Sequence, residues 1–340
     1  MIFNGILLFA GIIFFLWLGR PIFIPLLMAV FLWYLINAIS AYYRKVLPQT
    51  PMRIFNWISR ACAVGTIGVV IYLFITQIRP MYEELIRALP MIQARLMILA
   101  QYASEQLGMT FDATLIPNIS KIATNVGMSA ASMAATIGMI CIYMIFMFVE
   151  QSTFNRKFAS MFTSRRESKK MRYIIESIDS NMKKYLFIKT FISATTGILA
   201  YVWLRALGLE FAGVWAFIVF MMNYIPTIGS IVACALPILY SLVSAPTLQQ
   251  PILVASGLIG LQIVFGNIIE PKLTGKTLNL STLAILINLV FWGMIWGVAG
   301  MFFSVPLLVA TFIITAQFDS TRWIAVLLSA DGHIPDKSED

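Results

Sequence analysis

Residues 211–245 read FAGVWAFIVFMMNYIPTIGSIVACALPILYSLVSA. The stretch is apolar almost throughout, yet it is interrupted inside N-Y-I-P-T-I-G at 223–229. Pro226 lacks an N–H and frees carbonyls one turn back. Gly229 permits backbone geometry closed to other residues. Asn223, Tyr224 and Thr227 place donors and acceptors beside that break. Nonhelical backbone at membrane depth survives only where protein or a wet cavity satisfies its polar groups. Discontinuous helices mark substrate sites in transporters for this reason. The stretch therefore predicts a membrane protein with broken helices rather than a bundle of plain spans.

Working outward, the same pattern recurs. From Phe211 to Phe318 the chain is nearly continuously apolar, with further breaks at Pro271, Gly275, Gly293, Gly297, Gly300 and Pro306. Five apolar segments fall near 211–225, 229–245, 252–268, 282–299 and 301–317, several of them short for a crossing of about 20 residues. The 340 residues are 60% hydrophobic and only 11% charged, with mean hydropathy +0.86. A soluble domain carries about 25% charged residues. Strand alternation is absent, which argues against a β-barrel. The expected fold is all-α and polytopic, with about eight transmembrane helices, some of them broken or re-entrant in the C-terminal half.

The N-terminal part divides by charge. Residues 1–78 hold three apolar spans, at 2–18, 22–41 and 61–78, and the N-terminus is read as a retained span because it lacks a basic leader and a cleavage site. Residues 79–127 carry balanced charges, and Leu85, Leu89, Ile92, Leu96 and Leu99 recur at helical spacing, which predicts an amphipathic extracytoplasmic segment. Residues 128–149 form a fourth span that opens on small residues suited to close helix packing. Residues 150–185 carry nine Lys or Arg against four acids. Such an excess marks the cytoplasmic side and places both termini inside. The portion 174–186 reads as an amphipathic helix along the cytoplasmic surface, ahead of a fifth span at 187–204. Residues 186–318 form the module with broken helices, and 319–340 a polar cytoplasmic tail.

Of fifteen acidic residues, only Glu150 and Glu270 abut long apolar runs. Glu150 ends the fourth span, where its charge reaches water. Glu270 closes the run 261–269 and precedes Pro271, with Gln262 and Asn267 nearby. Carboxylates at such places are costly and usually functional. Glu270 then either binds a polar solute or a proton, or pairs with Lys272 or Lys276 at a loop boundary. The candidate solute contacts are Asn223, Tyr224, Thr227, Gln262, Asn267 and Glu270. Gly293 and Gly297 suit close helix packing, and the P-x-x-G and G-x-x-G breaks hint at an internal repeat.

The inventory excludes other chemistries. The lone His333 and three scattered cysteines supply no metal set or triad. No Walker P-loop is present, and nothing calls for a cofactor. The +9 charge lies in loops beside spans, not in a nucleic-acid module. A transporter is expected, not an enzyme. A non-transporting scaffold working through 79–127 or 150–185 is the remaining alternative.

N-Y-I-P-T-I-G at 223–229, G-N-I-I-E-P-K-L-T-G-K at 266–276, L-S-T-L at 280–283 and F-W-G-x-x-W-G-x-x-G-M…S-V-P at 291–306 together resemble the autoinducer-2 exporter family of bacterial membrane proteins. Asn223, Pro226 and Gly229 match its first motif; Gly266, Asn267, Glu270, Pro271 and Gly275 match the second. The resemblance implies a non-ATP exporter of a small polar solute, with the quorum-sensing signal autoinducer-2 as the named substrate class and Na⁺/H⁺ antiport as the alternative. It also implies a bacterial inner (plasma) membrane location and a homo-oligomer, of pentameric form.

Overall fold

The computed structural model describes residues 2–46, 135–150, 165–274 and 279–334, with isolated helical positions at 58–97, 153 and 157. Leu85, Leu89, Ile92, Leu96 and Leu99 of the expected amphipathic helix, residues 127–134 at the opening of the fourth span, Gly275 and Lys276 lie outside the described residues. The described elements are helical, and the only strand-like pairing among them is an isolated bridge between Leu280 and Ser329.

Helices α1 (Ile2–Leu18) and α2 (Arg20–Val46) meet at Gly19. Pro21 sits in the first turn of α2, where a missing N–H is tolerated, whereas Pro25, expected in that turn, lies inside the helix. Helix α3 (Ala135–Glu150) is a short apolar helix. Helix α4 (Arg165–Ala206) runs 42 residues without interruption, about 63 Å at roughly 1.5 Å per residue. The expected surface helix at 174–186 and the fifth span are thus one rod, so the expected division at 185/186 falls inside a helix. No proline and only one glycine, Gly197, occur along it, so nothing in the sequence ends the hydrogen-bond ladder. Its polar half carries the pairs Arg172–Glu176 and Lys183–Asp179 at i,i+4.

After α4 the chain forms the first helical hairpin. Helix α5 (Ala212–Met222) and helix α6 (Ile228–Ser244) are its arms. The rings of Phe211 and Trp215 lie 6.2 and 5.3 Å from that of Tyr240, which fixes the arms as antiparallel. At 11 residues, α5 is about 16 Å long, too short for a hydrocarbon core of about 30 Å. The pair is a fold-back element, not two full crossings. Helix α7 (Gln249–Gln262) follows and passes through a π-helical stretch, Ile263–Ile269, into the short α8 (Glu270–Thr274). The Glu270 N–H bonds to the Phe265 carbonyl, five residues back. Pro271 explains the distortion: it donates no N–H, and its ring crowds the carbonyl four residues earlier. The break expected at Pro271 is therefore a bulge just before it, not an interruption of the rod.

Helix α9 (Thr282–Ala316) is the second hairpin. Gly297, at φ 63° and ψ −142°, turns the chain within it. Asn288 Nδ2 donates to the Ser304 carbonyl at 2.6 Å across 16 residues of sequence. A straight helix would put them about 24 Å apart, so the segments before and after Gly297 run antiparallel. The two hairpins close in the same way. A Cβ added to Gly229 would fall 1.8 Å from the Met222 carbonyl oxygen, and one added to Gly300 would fall 1.9 Å from that of Trp292. In both, a glycine lets backbone meet backbone just past the turn. The hint of an internal repeat thus corresponds to a shared geometry of two hairpins.

Packing joins these parts around aromatic side chains. Tyr224 at the first turn meets Phe31 of α2, Phe220 of α5 and Phe302 of the second hairpin, with ring centroids 5.4, 5.7 and 4.8 Å away. Its hydroxyl donates to Thr190 of α4 at 2.8 Å. Trp296, beside the second turn, donates its indole N–H to the Leu16 carbonyl of α1 at 2.9 Å. Helix α10 (Arg322–Leu328) lies in the region expected as a polar tail, yet its Ala325 is buried against Phe312 and Ala316. Ser281 and Ala330 amides then bond to Leu328 and Asn279 carbonyls. The Asn279 amide donates to Asp331, which holds that exposed carboxylate below its usual range.

Large apolar side chains such as Leu8, Phe15, Ile198, Val202, Ile252 and Ile287 lie exposed on the outside. Four described helices, within Arg20–Ser40, Ser168–Ala206, Gln249–Leu273 and Thr282–Ala316, are long and apolar enough to cross a membrane. Surfaces of this size and composition are at home in lipid, not water.

Candidate functional site

The first hairpin turn and the π-helical stretch face each other across a cavity of about 690 Å³. Asn223, Ile225, Pro226 and Thr227 come from the turn; Ser230, Cys234 and Ile238 from α6; Gln262, Gly266, Asn267 and Glu270 from the α7–α8 rod; Lys189 from α4. Five of the six candidate solute contacts, Asn223, Thr227, Gln262, Asn267 and Glu270, therefore line one space. They come from two stretches about 40 residues apart in sequence, brought together because α7 packs against α6.

The exception is Tyr224. Its ring is 1% exposed and belongs to the aromatic core. The reason is helical phase. Asn223 and Tyr224 are neighbours in a hydrogen-bonded turn, so their side chains diverge, and the larger aromatic takes the apolar side.

The turn holds backbone strain. Thr227 has φ 59° and ψ −61°, and the Ile228 N–H bonds to the Pro226 carbonyl at 2.6 Å. This is a γ-turn with positive φ at its centre, a rare and strained form. A β-branched residue there is an outlier, and such strain clusters at ligand clamps and switches. Ser230 Oγ donates to the Thr227 carbonyl at 2.8 Å and steadies the turn. Gln262 Nε2 donates to Asn223 Oδ1 at 3.1 Å, which ties the two breaks together directly.

Among the described residues, Lys189 and Glu270 are the only charged ones lining the cavity, and they form an ion pair with each other. The Lys189 side chain is 8% exposed and that of Glu270 27%. Of the two partners expected for Glu270, Lys272 lies exposed, and Lys276 is outside the described residues. Sequence reasoning missed Lys189 because it sorted the acids and not the bases. The signal was present in L-F-I-K-T-F-I at 186–192, a single lysine inside an apolar run, which the cost of intramembrane charge marks as functional. Ser230 and Cys234 were also missed; nothing in their sequence context separates them from packing residues.

The remaining breaks lie elsewhere. Gly293, Gly297, Gly300 and Pro306 belong to the second hairpin and do not line the cavity, and Pro271 stands beside Glu270 without lining it. Among the described residues no group of three His, Cys, Asp or Glu converges to hold a metal ion.

Fold-back hairpins set against long apolar helices, with a polar cavity between their breaks, define a polytopic α-helical membrane protein. Comparison with known proteins gives the family: residues 6–320 match the AI-2E family transporters, and the chain belongs to that family. It is 36% identical over 231 residues to the AI-2 transport protein TqsA of Escherichia coli strain K12, an alignment covering 68% of this chain and 63% of TqsA. It is 29% identical over 331 residues to a putative transport protein of Haemophilus influenzae, covering 92% of this chain and 91% of that one. A putative transport protein of Escherichia coli K12, YhhT, is 26% identical over 305 residues. The protein is thus a multi-pass membrane protein of a transporter family.

Proposed function

We propose that the protein moves a small, polar, uncharged solute across the bacterial inner membrane through the cavity between Asn223–Gly229 and Gln262–Glu270, by a secondary mechanism without ATP. The observation that carries this reading is the convergence of two helix breaks from separate segments on one cavity lined by amides, hydroxyls and one internally paired charge. Amide and hydroxyl groups at Asn223, Thr227, Ser230, Gln262 and Asn267 suit a hydroxylated solute, since each donates or accepts without a net charge. TqsA is named for AI-2 transport. Autoinducer-2, a small hydroxylated dione or furanosyl species, is accordingly the solute proposed for this chain, in the direction of export. A homo-oligomer, pentameric by family resemblance, with both termini in the cytoplasm completes the proposal.

The test is transport in proteoliposomes with autoinducer-2 and a panel of small polyols, sugars and charged solutes, with and without Na⁺ and pH gradients. Saturable movement of autoinducer-2 without ATP is expected. Na⁺-driven pH change with no movement of any panel solute would replace this reading with the cation/proton antiporter.

A further inference from the structure

We propose that Lys189 is a specificity-determining residue: a built-in cation that occupies, beside Glu270, the place a carried cation would otherwise take. The inference rests on the transport reading above and deepens it. It assigns the site to uncharged solutes and makes their passage indifferent to Na⁺ and to membrane potential.

Three observations support this. First, among the described residues the cavity lining is charge-balanced, because its one carboxylate already holds its one ammonium. Second, the pair joins different elements. Lys189 projects from the uninterrupted α4, whereas Glu270 stands at the end of the π-helical stretch in the α7–α8 rod. The ammonium is therefore fixed to the scaffold, while the carboxylate belongs to the distorted segment, and π-bulges recur at functional sites. Third, Lys189 is 6% exposed. A buried ammonium without a counter-charge is costly, so the geometry keeps Lys189 seated on the carboxylate. Removing the ammonium leaves a carboxylate facing a cavity that also offers amide and hydroxyl oxygens. Hard cations such as Na⁺ select oxygen donors of this kind. Tyr185, one turn before Lys189 on α4, is buried. It supplies no positive charge.

The experiment compares wild type, Lys189→Met, Lys189→Arg and Lys189→Met/Glu270→Gln at pH 8. Each is reconstituted for uptake of the neutral solute, with Na⁺ either present or replaced by choline and with membrane potential set by valinomycin. Each is also assayed in detergent for binding of ²²Na⁺. Wild type and Lys189→Arg are expected to ignore Na⁺ and potential and to retain no ²²Na⁺. Lys189→Met is expected to gain ²²Na⁺ binding and a Na⁺ dependence of uptake of roughly tenfold, the size of an ordinary coupling between sites. The double variant is expected to lose both. Wild-type uptake that follows the Na⁺ gradient or the potential, or a Lys189→Met protein that binds no ²²Na⁺, would overturn the inference. If Lys189→Met does not fold, Lys189→Gln takes its place. If wild type moves no panel solute, the transport reading fails on its own, while ²²Na⁺ binding to wild type still decides whether Lys189 fills a cation's place.

Discussion

Gly229→Ala is expected to prevent the first hairpin from closing and to remove most of the folded protein. The added Cβ would lie 1.8 Å from the Met222 carbonyl oxygen and 2.8 Å from its carbon. Both are backbone atoms, so no side-chain rotation relieves the clash. The arms would have to part by more than 1 Å at the point where Asn223, Ile225 and Thr227 take their positions. The Gly229 N–H bond to the Ile225 carbonyl, 3.2 Å long, would open with them. A destabilisation above about 4 kcal/mol is the order expected when backbone close approach is lost. The readout is the yield and melting temperature of monodisperse protein in detergent. Gly300→Ala should behave alike, because its Cβ would meet the Trp292 carbonyl oxygen at 1.9 Å. Gly260→Ala, with nothing within 4 Å of the added carbon, is the control and should leave the melting temperature within about 2 °C of wild type. Normal yield and melting for Gly229→Ala would mean that the two arms do not touch as described.

Glu270→Gln is expected to lower transport by about 100-fold, as losing a charged contact in a low-dielectric site does when it is worth roughly 3 kcal/mol. The substitution keeps the shape of the side chain and one acceptor oxygen, but leaves the Lys189 ammonium unpaired at the cavity wall. Breaking a buried pair from one side costs about 3–5 kcal/mol, whereas replacing both partners is often neutral. The single variant should therefore melt lower than wild type, and Lys189→Met/Glu270→Gln should recover much of that loss. Recovery of stability without recovery of transport would separate the structural role of the pair from its role in the pathway. Full transport by the single variant at equal reconstitution would remove Glu270 from the pathway.

Much of this architecture was legible in the sequence, for physical reasons that apply to particular residues. Span boundaries at Leu18 and Arg20 follow from G-R-P at 19–21. The first hairpin follows from Pro226 and Gly229, and the second from Gly297 and Gly300, because a missing donor or a missing Cβ leaves a mark in one-letter code. Five of the six candidate solute contacts lie on one cavity because polar residues beside breaks have few other places to go in an apolar module. What was not legible depends on tertiary placement. The extension of α4 through 174–186 was missed because a change from polar to apolar composition resembles a boundary, although nothing there stops a helix. The turning of Tyr224 into the Phe31–Phe302 cluster is decided by side-chain phase in an irregular turn. A partner of Glu270, Lys189, lies 81 residues away in sequence, whereas local spacing pointed to Lys272 or Lys276. The π-helical form of Ile263–Ile269 records where Pro271 pushes the ladder, not merely that it does.

Cys234 offers a direct probe of the pathway. It lines the cavity and is a free thiol, while Cys62 and Cys141 lie exposed on the outside and are removable as Ser. In Cys62→Ser/Cys141→Ser protein reconstituted in liposomes, the rate at which a small methanethiosulfonate modifies Cys234 should fall several-fold when autoinducer-2 is present at saturating concentration, and complete modification should block its movement. Unchanged transport with Cys234 fully modified would contradict the claim that solute passes between the two helix breaks.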